Sequence, residues 1–182
     1  MISGETGRVA KAAKPPRLGN AMTPKLTVDA TMEILRTTVE RLDDLTRGVS
    51  QKRLSTVTDY GWSVNDQLAH LRACHDVLGG NMLRIVREDH PAWKGMNPRA
   101  WQTQTDYFDW KFAPAFEVFR AQRAELLEVL EPLPPAAWKR TATVSAPPNK
   151  VYEYSTLYYG DWMARHERSH LGHMARILKE LA

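Results

Sequence analysis

From about Ser155 to Leu181 the chain carries one unbroken helical pattern, and the apolar stripe of that helix contains histidines. At about 100° per residue, Tyr159, Trp162, Met163, His170, His173, Met174 and Ile177 all fall within roughly 80° of His166, while Arg168 and Lys179 fall on the far side. A helix of this length must bury that stripe against other elements. His166 and His170, four residues apart, stack about 6 Å from each other on one face, near enough to share one metal ion. Imidazoles facing apolar groups cost free energy unless a partner satisfies them, and a metal is one such partner.

Three further segments show the same periodicity. Val28, Met32, Leu35, Val39, Leu42 and Leu45 predict a helix from about Thr27 to Arg47, ended by Gly48. Ser63 with Asp66 three residues on predicts a capping box at the start of a second helix running to about Arg87. Gly79-Gly80 marks a weak point or an early stop in it. A third helix is predicted from about Thr103 to Leu130, with Pro114 kinking or dividing it. Residues 139–153 read as irregular or weakly extended, with Pro147-Pro148 as a breaker. With no convincing strand, the expected fold class is all-α, a four-helix bundle.

At 182 residues, one domain is expected. The net charge of +4 is uneven: Arg8, Lys11, Lys14 and Arg17 against Glu5 leave 21 basic and 20 acidic residues for the rest. Residues 1–22 are therefore expected to be a disordered basic tail, with Met22 an alternative start, and residues 23–182 the folded domain. The nearly neutral domain argues against a nucleic-acid surface. No long apolar run predicts a membrane span, and the lone Cys74 suits a cytoplasmic location.

Other candidates read as follows. On the second helix, His70 shares the core side with Cys74 and Val77. It is either a core histidine bonded to a neighbouring helix or a third ligand completing a His₃ site. His173 lies about 10.5 Å along the axis from His166, too far for one ion to hold all three; a His170/His173 pair is the alternative to His166/His170, and otherwise His173 reads as packing or pocket wall. His75 reads as a polar boundary residue, His90 as a solvated loop residue and Glu167 as a flank charge. Cys74 is a buried small hydrophobe or a pocket thiol. Asp66 is a helix cap or a carboxylate serving the metal site as orienter or base. Trp93, Trp101 and Trp110 surround a loop long enough to roof a pocket.

Trp62-Ser63-Val64-Asn65-Asp66-Gln67-Leu68-Ala69-His70-Leu71 resembles the second-helix motif of the DinB/YfiT-like superfamily, and His166-Glu167-Arg168-Ser169-His170 resembles its HxxxH final-helix motif. The resemblance covers about residues 27–181. It implies up-down-down-up connectivity, a divalent metal (zinc, nickel, iron or manganese) on His70, His166 and His170, and a homodimer. It also implies a small-molecule substrate, with thiol-dependent S-transferases and metal-dependent hydrolases among the relatives. His173 departs from it, standing where the family often has glutamine. A His₃ set leaves the ion's charge unneutralised and suited to activating water or a thiol. The alternatives are a non-catalytic binding module, related to stress, and a purely structural bundle.

Overall fold

The computed structural model describes residues 24–182; the expected tail, 1–22, lies outside them. Helix α1 spans Val28–Thr46, with the Thr27 side chain accepting from Ala30 N–H. Gly48, at φ 75°, takes the left-handed conformation that turns the chain out of it. After a single turn, α2 (Gln51–Leu54), helix α3 (Val64–Cys74) starts at the expected Ser63/Asp66 capping box. Gly79-Gly80 does not stop the chain. Residues His75–Gly79 form a π-helical turn that leads directly into α4 (Gly80–Arg87), so the glycines sit where the helix widens.

The third predicted helix begins later than its periodicity suggested. A short helix, α5 (Pro98–Gln102), and a 3₁₀ turn at Tyr107–Asp109 precede α6 (Phe112–Leu130). Pro114 thus lies in the first turn of α6, where its missing N–H would be unpaired anyway. It neither kinks nor divides the helix. Helix α7 spans Thr156–Glu180, close to the bounds its pattern predicts, and the Ser155 side chain accepts from Tyr158 N–H.

The all-helical expectation needs correcting. Strands β1 (Ala92–Lys94), β2 (Thr141–Ala146) and β3 (Lys150–Ser155) form a sheet in that order. β1 pairs parallel to β2 (Ala92↔Thr143), and β2 pairs antiparallel to β3 (Thr141↔Ser155). Asn149, at φ 59°, helps turn the hairpin. Ala142, Val144 and Tyr154 bury one face of this sheet on the bundle.

Two apolar clusters make the core. One gathers Leu35, Cys74, Leu78, Met82, Leu126 and Met163 with the sheet's inner face. The other gathers Leu42, Leu68, Leu71, Phe119, Leu171 and Met174. Full burial of each such side chain contributes about 1.5–3 kcal/mol. Between the clusters lies a polar layer with a member on every long helix: Thr38, His70, Arg123, and His166 with Glu167. Along α1 and α7 the residues of the first cluster precede those of the second, whereas along α3–α4 and α6 they follow them. Gly160 lets α7 approach α1 closely; a Cβ there would lie 3.1 Å from Thr31 Cγ2. Among the described residues no helix is long and apolar enough to cross a membrane.

Candidate metal centre

The polar layer brings together the three histidines singled out above. His70 on α3 is buried, and His166 and His170 on α7 are partly buried. One donor atom from each lies within 4.8 Å of the others. The ring of His70 is 5.2 Å from that of His166 and 5.1 Å from that of His170. Regular helix on both sides produces this geometry: four residues on α7 stack two imidazoles, and the packing of α3 against α7 supplies the third.

Two glutamines orient the rings. His70 Nδ1 lies 3.1 Å from Gln102 Oε1, and His170 Nδ1 lies 2.7 Å from Gln67 Oε1. An amide oxygen only accepts, so each Nδ1 carries the proton and each Nε2 presents a lone pair. His166 Nε2 lies 3.2 Å from His170 Nε2, and His166 Nδ1 is buried without a hydrogen-bond partner among the described residues. The converging imidazoles fit a cation held by one ring nitrogen from each of the three histidines.

Burial holds all three imidazoles in the neutral, ligating form. It takes His70 down to about 4, the Gln102 hydrogen bond opposing and Arg99 assisting. It takes His166 down to about 4 and His170 to about 2, with the neighbouring imidazoles and Arg99 adding to the effect. The indole of Trp62 walls the site, edge-on to His70 at 5.2 Å and nearly parallel to His170 at 6.3 Å, with Phe108 beyond it at 6.4 Å.

The remaining candidates distribute unevenly. Cys74 Sγ lies 3.5 Å from His70 Nε2, but burial, helped by Glu167, pushes its thiol well above the ordinary range. The His173 ring is 5.9 Å from that of His170, at the site's half-exposed edge. The Asp66 carboxylate accepts from Ser63 N–H within the capping box, so it is committed to the helix end. Trp101 donates to Asp76 and lines a separate open cavity of about 470 Å³ with Arg84, Arg87 and Met96; none of the three histidines borders it. Trp93 packs beside Tyr159, and Trp110 lies against the Arg72 guanidinium. His90 is exposed, 3.7 Å from Glu153.

Two assignments are corrected. His75 is buried rather than at a boundary, because α3 is buried almost all round and has no solvated face to border. Its Nδ1 has no partner among the described residues, and burial takes it to about 3. Glu167 is no flank charge: it is fully buried in a two-pronged ion pair with Arg123 of α6, which also donates to the Leu35 carbonyl. Sequence reasoning passed over Gln67, Gln102, Trp62 and Arg99. Gln67 was within reach, since a polar side chain one turn before His70 lies on the same core-facing stripe. The other three sit in or beside short, aperiodic segments.

A family model described as the DinB superfamily matches residues 34–174. No curated protein matches the chain at a significant level. Among solved structures, YfiT from Bacillus subtilis is similar, with a TM-score of 0.71 and 16% identity, covering 90% of this chain and 95% of that one. That protein is described as a probable metal-dependent hydrolase with an unusual four-helix bundle topology.

Proposed function

Because the chain belongs to the DinB superfamily, we propose that it is a metal-dependent enzyme acting on a small molecule, with His70, His166 and His170 as the ligands. The observation that carries this reading is the pair of glutamine–imidazole hydrogen bonds, which aims two Nε2 atoms at one point beside the third. The order in which the helices visit the two apolar clusters supports up-down-down-up connectivity. When bound, a divalent ion on three neutral imidazoles keeps its full charge and supplies Lewis acidity enough to make a nucleophile of water or a thiol at neutral pH.

The chain's own residues bind and orient. Gln67 and Gln102 hold the Nδ1 protons, Trp62 and Phe108 give the site an apolar wall, and Asp66 stays in its cap. The reaction is of hydrolase or thiol S-transferase type, in the cytoplasm and with a homodimer as the working form. Metal-loaded protein assayed against ester and amide panels, and against thiols with electrophilic acceptors, tests it. Turnover lost in His166→Ala supports the reading, and light scattering tests the dimer. Absence of turnover, with a ligand that raises the melting temperature and is recovered unchanged, favours a non-catalytic binding module. One observation favours that second reading: the capping box occupies the Asp66 carboxylate, the one acid on a ligand-bearing face that sequence offered as a base.

A further inference from the structure

We propose that Arg99 is the anion-recognition residue of this centre and that the substrate carries a carboxylate or a similar anionic group. This rests, for the substrate's second attachment point, on reading the three histidines as a metal centre.

The geometry begins with α5. Asn97 caps it by accepting from Arg99 N–H at 2.8 Å, and Pro98 fixes its first residue. Arg99 and Gln102 are three residues apart and so share a face. Gln102 Oε1 lies 3.1 Å from His70 Nδ1, so that face is turned toward the histidines. The Arg99 guanidinium lies 5.0 Å from the Trp62 ring centre, and His70, His170 and Phe108 also border that ring. A single indole therefore separates the guanidinium from the imidazoles.

Arg99 is one of several described arginines without a carboxylate partner, and it is the one that shares an aromatic ring with His70 and His170. Arg36, Arg47, Arg84, Arg120, Arg123 and Arg165 each pair with a carboxylate. The exposed Arg99 side chain makes no ion pair or hydrogen bond among the described residues, only its contact with Trp62. Stacking on an aromatic ring holds the fork in place while leaving its five N–H donors free. No carboxylate belongs to the three-histidine set: Asp66 is committed to its cap, and Glu167, beside His166 in the chain, is paired with Arg123. A divalent ion on neutral ligands beside an unpaired guanidinium concentrates positive charge, and the complement is an anion bridging both. Phe108, exposed and edge-on to Trp62, adds apolar surface for the body of such a ligand.

Full-length protein loaded with cobalt(II) provides the test, read by the thiolate-to-cobalt absorption band. It is titrated with 3-mercaptopropionate and with 3-mercaptopropan-1-ol. The wild type is expected to prefer the carboxylate by about tenfold, with most of that preference lost in Arg99→Gln and part retained in Arg99→Lys. An equal preference in wild type and Arg99→Gln overturns the proposal while leaving the metal reading intact. The Nε–H signal of Arg99, assigned by its loss in Arg99→Gln, gives a second readout on metal-free protein. A shift with the carboxylate and not the alcohol supports anion recognition even if cobalt does not bind, which would count against the metal reading alone. No shift with either overturns the proposal.

Discussion

Gln67 on α3 and His170 on α7, 103 residues apart in sequence, meet at 2.7 Å, with the amide oxygen accepting from the ring Nδ1–H. Helix α3 thus orients a histidine of α7, while its own His70 is oriented by Gln102 of α5.

Removing either bond frees a ring to rotate or to take the wrong tautomer. Gln67→Leu and Gln102→Leu are each expected to weaken metal affinity about 10- to 100-fold, measured by chelator competition. Gln67→Glu, which still accepts, should lose much less. Unchanged affinity in both leucine variants would remove the glutamines from the metal site.

Asp66 separates a cap from a catalytic acid. Asp66→Asn and Ser63→Ala each break the capping box and should cost about 1 kcal/mol in urea denaturation. Metal affinity should not change in either. Loss of metal in Asp66→Asn at unchanged stability would place the carboxylate beside the ion instead.

Arg123 and Glu167 are an ion pair with almost no exposure. Deleting one partner strands the other charge, so Arg123→Met alone should cost about 3–5 kcal/mol. The double variant Arg123→Met/Glu167→Leu should recover most of that, because an apolar pair removes both desolvation penalties. Denaturation curves of the two variants decide it, and a double variant no better than the single would contradict the assignment.

What could be read from sequence follows local regularity. The start of α3 was legible because Ser63 and Asp66 form a cap whose partners lie three residues away, and the extent of α7 because its apolar stripe repeats without a break. The three histidines were legible because α3 and α7 are regular where they lie, so a 100° projection holds. Strand β1 was not, because it has three residues and pairs with a strand some fifty positions away, and the β2–β3 hairpin showed only as a weakly extended stretch. Glu167 and His75 were misplaced because projection assumes one buried stripe, whereas α3 is enclosed and α7 also faces Arg123 across the bundle. Arg99 and Trp62 belong to segments too short for any periodicity.

Acid should unfold the metal-free protein. Folding lowers His70 and His166 from 6.5 to about 4 and His75 to about 3. The unfolded chain therefore binds protons that the folded one refuses, and stability is full above pH 6.5 and falls as pH drops toward 4. Each shift of this size is worth on the order of 3 kcal/mol, so three together rival the whole stability of an ordinary domain. Melting temperature measured from pH 8 to 4 should be flat and then fall steeply below 6.5. A level profile down to pH 4.5 would show that these rings are not buried neutral.

Metal content by plasma mass spectrometry on tag-free protein, with wild type beside His70→Ala and His166→Ala, tests the central claim most directly. About one divalent ion per chain, lost in both variants, is the expected result for one site shared by α3 and α7. A wild type that holds no zinc, nickel, iron or manganese after dialysis against each, or variants that keep the ion, would contradict it.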